Sequence, residues 1–319
     1  MGSQREAETT YDLYGLSVRT ELPLAAPAGS RRPDIEVLLG DVKPIPHEPP
    51  LGEHLVIHRL GQVSGHAVTR DDDGYVHRVF GICDARISAD LRTIVIDSDP
   101  QAGRELLSIF LGGSILAVAL QLRGAFVLHA SAVEIDGRVA AIVGATGRGK
   151  SSLAALLCAR GAAFVTDDVL VCDRETSMCQ PGGCEIRVRP QARPIADLFP
   201  LAEVTRSADD RLIVARRPPS GPRPLGSVFF PRLAPELRSV KVDRIRPVEA
   251  LTELIRAPRT AGWTAADLLD TYFRGSAAIV RRVEALTVTV PWDPEFRTDL
   301  AGQLTEAVTA AIARAEVSR

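Results

Sequence analysis

The stretch Gly144-Ala145-Thr146-Gly147-Arg148-Gly149-Lys150-Ser151 carries the spacing G-x-x-x-x-G-K-[ST], and each fixed position has a chemical task. Glycines let successive backbone N–H groups fold inward around phosphate oxygens. The lysine reaches the β- and γ-phosphates, and the serine hydroxyl binds Mg²⁺. Ser151 and Ser152 open the following helix, whose positive end points at the same phosphates. The chemistry implied is the holding of ATP with Mg²⁺. Lysine usage sharpens this reading, because of 38 basic residues only Lys43, Lys150 and Lys241 are lysines. In a chain that takes arginine almost everywhere, Lys150 stands where a compact ammonium is needed and a planar guanidinium fits badly.

Two carboxylates, Asp167 and Asp168, follow at the end of a strand that begins at Phe164-Val165. A strand that follows a phosphate loop and its helix returns beside the loop. One aspartate can then coordinate Mg²⁺ while the other accepts the proton of an attacking hydroxyl. Arg211, within Asp209-Asp210-Arg211, either stabilises transition-state charge or makes a surface ion pair.

The elements that must position these groups are legible as hydrophobic periods and turn signals. Phe126–Ile135 reaches an Asp136-Gly137 hairpin turn and returns through Arg138–Val143, which feeds the glycine-rich loop. Leu153, Leu156 and Leu157 mark a helix face, Arg160-Gly161 closes that helix, and Val169–Val171 continues beyond the aspartates. Later strands are expected near Ile186–Arg189, Ser227–Phe230, Val240–Ile245 and Leu286–Val290. Later helices are expected at Pro247–Arg256, Ala265–Val283 and Phe296–Arg314.

Residues 1–100 read as a β-rich region with strands at Ile35–Leu39, Leu55–Leu60, Tyr75–Ile82 and Thr93–Asp97 and no catalytic pattern. His54 and His58 have the spacing of a helical metal pair, but Leu55-Val56-Ile57 favours strand and breaks that geometry. Leu106–Leu122 holds no charge, yet it is short for a membrane span of about 20 residues and reads as a buried helix. The chain therefore divides into a β-rich region, 1–100, and an α/β domain, 101–319, that carries the site.

Hydrophobic residues at 45% and charged residues at 24% give an ordinary globular core, and a net charge of -2 offers nothing to nucleic acid or an anionic membrane. Five cysteines without a CxxC pair read as reduced thiols, and with no leader pattern at the start the expected location is cytoplasmic. Gly2 suits myristoylation, but Glu6 occupies the position that wants serine or threonine.

The run His129-Ala-Ser-Ala-Val-Glu-Ile-Asp-Gly, then Gly144–Ser152, Arg160-Gly161 and Asp167-Asp168, resembles the catalytic domain of the HPr kinase/phosphorylase family. The likeness is dense from His129 to Asp173. It implies an α/β P-loop kinase fold similar to that of phosphoenolpyruvate carboxykinase, and transfer of a γ-phosphoryl group to a serine hydroxyl. Carried over position by position, it makes Lys150 and Ser151 the phosphate and Mg²⁺ residues and Asp168 the base. Asp167 assists metal or substrate positioning, and His129 lines the site. Glu185-Ile186-Arg187 echoes the family's metal-binding Glu-x-Arg-Gly signature, but it arrives earlier and lacks the glycine. Residues 1–100 look instead like divergent HPr-kinase-like proteins of bacterial biosynthetic clusters, including kinases of lasso-peptide precursors. The resemblance thus implies a peptide or protein acceptor with a serine hydroxyl. A small-molecule kinase and a nucleotide-binding regulator without transfer are the other readings. The β-rich region either captures an extended acceptor peptide by strand addition, mediates self-association into a homo-oligomer, or only covers the kinase sheet.

Overall fold

The computed structural model describes residues 7–61, 64–292 and 299–317 of the chain. Gly2, Glu6 and the first residues of the helix expected from Phe296 lie outside them. The chain forms a mixed α/β, sheet-rich structure of two compact units. One takes residues up to Ala125 together with Thr260–Thr271, and the other takes Phe126–Arg259 with the chain from Tyr272 onward.

The first unit is an eight-stranded sheet of β1 (Thr9–Leu13), β2 (Leu16–Thr20), β3 (Ile35–Val42), β4 (Glu53–Leu60), β5 (Ser64–Arg70), β6 (Gly74–Val79), β7 (Cys83–Ser88) and β8 (Thr93–Ser98). Its spatial order is β1-β2-β3-β8-β7-β6-β5-β4, with β2–β3 and β3–β8 parallel and the rest antiparallel. Strand alternation builds the core: Ile35 and Val37, Ala85 and Ile87, Ile94 and Ile96 are all buried, while Glu36, Arg86 and Val95 between them face the other way. His54 and His58 lie on β4, so their spacing is not that of a helix.

The apolar segment after β8 is helical, as α1 (Arg104–Phe110), a π-helical turn at Leu111–Ile115, and α2 (Leu116–Leu122). Its length and composition would allow a membrane crossing, and half of its most apolar window is buried inside the structure. The segment belongs to the first unit rather than to the domain that was expected to begin at residue 101. Tyr14 Oη donates to the Gly112 carbonyl (2.9 Å), and the Arg123 guanidinium donates to the carbonyls of Asp34 (2.9 Å) and Leu91 (2.7 Å). These long-range bonds, invisible in local sequence, move the boundary to Ala125.

Both outer strands of this sheet are capped by the chain itself. Tyr11 of β1 bridges Ala28, and the Gly29 N–H donates to Thr10 O (2.9 Å). On β4, Val56 bridges Trp263 and the Thr264 N–H donates to Leu55 O (2.9 Å). At those residues the edge groups that strand addition would use are already taken.

The second unit is built on β9 (Phe126–Leu128), β10 (Ala130–Ile135), β11 (Arg138–Val143), β12 (Ala163–Thr166), β13 (Leu170–Cys172), β14 (Met178–Cys179), β18 (Arg223–Leu233), β19 (Lys241–Arg244) and β20 (Glu284–Val290). A small sheet of β15 (Glu185–Val188), β16 (Val204–Arg206) and β17 (Leu212–Ala215) stands apart from these. The β10–β11 hairpin turns at Asp136-Gly137 with both residues at positive φ, as the sequence predicts. Strand β11 runs parallel to β18, and β18 parallel to β20.

Near-continuous apolar runs in these central strands mean burial on both faces. Ala140, Ile142, Phe229, Leu286 and Val288 point to one side, against α3 (Lys150–Ala159) and α7 (Leu300–Val317). Their neighbours Ala141, Val143, Val228, Phe230 and Ala285 point to the other, against α5 (Pro247–Ile255) and the second half of α6 (Ala266–Arg282). The short helix α4 (Arg193–Ala196) joins the first of these cores through Ile195 and Ala196. Burial on both faces holds β11, and hence the loop at its end, in one place.

Candidate functional site

The loop Gly144–Gly149 leaves the end of β11 and turns directly into α3, whose first residue is Lys150. Gly147 and Gly149 sit at φ +87° and +85°, a region that only glycine enters without strain. Substitution at either would alter the curl that turns the loop's N–H groups inward. Ala145 to Arg148 are exposed, whereas Lys150 is buried and its Nζ donates to the Ala145 carbonyl at 3.1 Å. Burial brings the Lys150 ammonium down to about 8, against the opposing pull of Asp168 and Asp167. A buried ammonium held only by a backbone carbonyl and two nearby acids is a charge prepared for an anion.

Asp167 ends β12 in a cage of donors. Its Oδ1 accepts from Ser131 Oγ (2.5 Å) and Ser151 Oγ (2.8 Å), and its Oδ2 accepts from the Arg187 backbone N–H (2.9 Å). Burial raises its pKa, the charge of Asp168 adds to that, and the three donors only partly oppose it. A cation beside Asp167 would relieve this cost, and the Ser151 hydroxyl is already joined to it. The two residues therefore fit a divalent ion in chemistry and in placement.

Asp168 is arranged differently. Its backbone is left-handed, at φ +72°, a conformation that aspartate and asparagine tolerate better than most residues. Its side chain is 43% exposed, so an incoming group can reach it. Arg259 Nη2 donates to Oδ2 at 2.7 Å, and His129 Nδ1 lies 3.6 Å from Oδ1, too far for a hydrogen bond. The protein packed around the carboxyl's inner side would by itself raise its pKa; Arg259 leads the cations that outweigh this and hold the carboxyl below its ordinary range. Burial pushes His129 down to about 4, and Lys150, Arg259 and Arg211 add to that effect, so its imidazole is neutral at physiological pH.

Lys150, Ser151, Asp167, Asp168 and His129 are thus brought together, and Ser131 and Arg259 join them. Ser131 could have been found as the alternate strand residue after His129. Arg259, 91 residues beyond Asp168, has no local signal. Arg211 lies 3.5 Å from Asp209, and its charge is also felt at Asp168, His129 and Lys150.

As to Glu185, among the described residues no three His, Cys, Asp or Glu side chains gather into a metal-holding group. The part of β15 that touches Asp167 is the backbone of Arg187, two residues and roughly 7 Å further along the strand.

No protein-family model and no curated protein matches the chain. Among solved structures it is similar to the HPr(Ser) kinase/phosphatase of Coxiella burnetii, at 15% identity over 60% of this chain and 93% of that one, with a TM-score of 0.31. A likeness that distant transfers no residue role, and the site stands on its own geometry.

Proposed function

We propose that the protein is an ATP- and Mg²⁺-dependent kinase that moves the γ-phosphoryl group to a serine-type hydroxyl on a peptide or protein. The observation that carries this reading is the joining of the loop to the aspartate pair. Ser151, beside the buried Lys150, reaches Asp167 at 2.8 Å, while the adjacent Asp168 stays open to an acceptor. The loop N–H groups and Lys150 hold the β- and γ-phosphates. Ser151 and Asp167 would hold Mg²⁺, which supplies neutralisation of the phosphate oxygens when bound. Asp168, kept ionised by Arg259, accepts the hydroxyl proton as the acceptor oxygen forms its bond to the γ-phosphorus and the bond from that phosphorus to the bridging oxygen breaks, with ADP leaving. Arg259 and Arg211 bring positive charge to a site where negative charge develops. The resemblance of the motifs to HPr kinase/phosphorylase supports the same chemistry.

The direct test is incubation with Mg²⁺ and γ-labelled ATP in the presence of extract proteins and peptides. Label is expected on serine hydroxyls. Label released only as inorganic phosphate would point to a hydrolase. Label found only on metabolites would make the acceptor a small molecule.

The depressed Lys150 gives the reading a pH signature. Its folded pKa is lowered from 10.5 to about 8, so the ammonium that meets phosphate is complete below that value and is lost as pH rises through it. Affinity for Mg²⁺-ATP should therefore hold near pH 7 and fall above pH 8, by up to roughly tenfold per unit. Calorimetric titrations across this range check it. Lys150→Arg should bind more weakly because the planar guanidinium fits badly, but it stays charged throughout, so its residual affinity should not fall with pH. A wild-type affinity that does not change with pH would remove Lys150 from phosphate binding.

A further inference from the structure

The loop accounts for Lys150, but it leaves unexplained why a chain so rich in arginine keeps a lysine at position 43. Lys43 follows β3 in the first unit, and its Nζ donates to Asp97 Oδ2 at 2.7 Å. Asp97 is 1% exposed; it also meets Arg86 at 3.1 Å and accepts the Asp41 backbone N–H at 2.9 Å. Burial would raise Asp97, and Lys43, the Asp41 N–H and Arg86 together bring it below its ordinary range, so it stays a carboxylate. Gly40 lies against it, and a side chain there would collide with the Asp97 carboxylate.

A recess of about 380 Å³ opens at this network. Lys43 and Arg86 line it with side chains 44% and 50% exposed. Val76, Pro50 and Leu51 give it an apolar wall, with Leu51 95% exposed at its mouth. The frame is fixed before any ligand arrives. Arg78 donates twice to Asp84 at 2.7 Å and once to the Glu48 carbonyl at 3.0 Å, fastening the covering loop to β6. The Ile45 N–H adds a bond to Asp99 Oδ2 at 3.3 Å.

Arg78 thus spends three of its five donors on the frame, and Lys43 and Arg86 fewer of theirs. Lys43 spends one of its three donors on Asp97, and Arg86 keeps donors beyond those it gives the same carboxylate. The lining cations Lys43, Arg78 and Arg86 outnumber the carboxylates Asp84 and Asp97 by one. From this we infer that the recess is a binding site for a carboxylate carried on an apolar body. Lys43 and Arg86 take the carboxylate, Asp97 orients both of them from behind, and Val76, Pro50 and Leu51 cover the apolar part. The volume is near the lower end of small-ligand pockets and suits a group the size of one amino-acid residue. With part of each outer strand already covered, this is a way for the first unit to recognise a peptide end without strand addition.

The test uses the full chain without nucleotide, so its outcome is independent of phosphotransfer. N-acetyl-leucine, its carboxamide and a short peptide ending in leucine are titrated by calorimetry and ligand-observed NMR. The acid should bind saturably and the amide should not. Lys43→Gln should weaken the acid, and because that change also disturbs Asp97, a second variant is needed. Leu51→Asp changes a side chain that is 95% exposed in the free protein, leaves the fold alone, and should weaken the acid about tenfold by placing like charge at the mouth. A peptide that binds more tightly than the free acid identifies a polypeptide end as the source of the carboxylate, whereas equal binding identifies a free acid. Equal binding of acid and amide, binding of neither, or indifference to Leu51→Asp would overturn the assignment.

Discussion

Lys150→Ala is expected to weaken binding of Mg²⁺-ATP severely while leaving the fold intact. The lysine is buried at the first turn of α3, with Ala145 O as its hydrogen-bond acceptor, so little of the apo structure depends on it. Its burial is itself unfavourable, as the fall of its pKa to about 8 records, and removing it relieves that cost. The thermal midpoint should therefore stay within a few degrees of wild type. Binding is another matter. Truncating one side of a buried, hydrogen-bonded charge pair costs about 2–5 kcal/mol, which is roughly 30-fold in affinity at the least. Calorimetry with Mg²⁺-ATP reads both states directly, and equal affinity in the two proteins would withdraw the loop from phosphate binding altogether.

Much of this site could be read in advance because its signals are local. The glycine spacing, the Asp136-Gly137 turn and the Arg160-Gly161 helix end each lie within a few residues of what they determine. The structure accordingly has β10–β11, the loop and α3 where the pattern puts them. The helices at Pro247–Ile255 and Ala266–Arg282 were legible for the same reason. Strand β7 was missed although it alternates cleanly: Cys83, Ala85 and Ile87 are buried, and Arg86 between them is half-exposed. Its charged residues Asp84 and Arg86 belong to a recess built with β6, β8 and the segments holding Lys43 and Pro49–Leu51, and no local pattern encodes that assembly. Arg259 was invisible for a stronger reason. It reaches Asp168 only because the chain returns after α5, where Pro258 bridges Leu128, and no local pattern encodes that return. The motif-like Glu185-Ile186-Arg187 held a contact of another kind: the Arg187 backbone N–H donates to Asp167, which a side-chain motif does not encode.

The two aspartates differ enough in their surroundings to predict different failures. Asp168→Asn should keep Mg²⁺-ATP affinity within a few-fold and lose phosphotransfer by roughly 10²–10⁴, the usual cost of removing a general base. Asparagine is the right replacement because the left-handed backbone at φ +72° accepts it, whereas alanine would add strain. The Arg259 contact survives in part through the amide oxygen, so loss of rate reports on proton acceptance rather than on collapse of the site. In the wild type, Arg259 holds Asp168 below the usual carboxylate range. The rate should therefore be retained through mildly acidic pH and fall only as pH drops through that lowered value. Asp167→Asn should act elsewhere. It meets three donors, two hydroxyls and the Arg187 N–H, and an amide cannot accept at both ends, so one of those donors loses its partner. It also removes the half-buried negative charge beside Ser151. The expected result is a raised Mg²⁺ requirement, with transfer partly recovered at saturating metal. Single-turnover transfer measured against Mg²⁺ concentration separates the two variants. If Asp167→Asn proves the rate-dead variant and Asp168→Asn the metal-dependent one, the roles are exchanged within the same site. If both variants keep wild-type rates at ordinary Mg²⁺, neither carboxylate takes part in phosphotransfer, and the kinase reading loses its base.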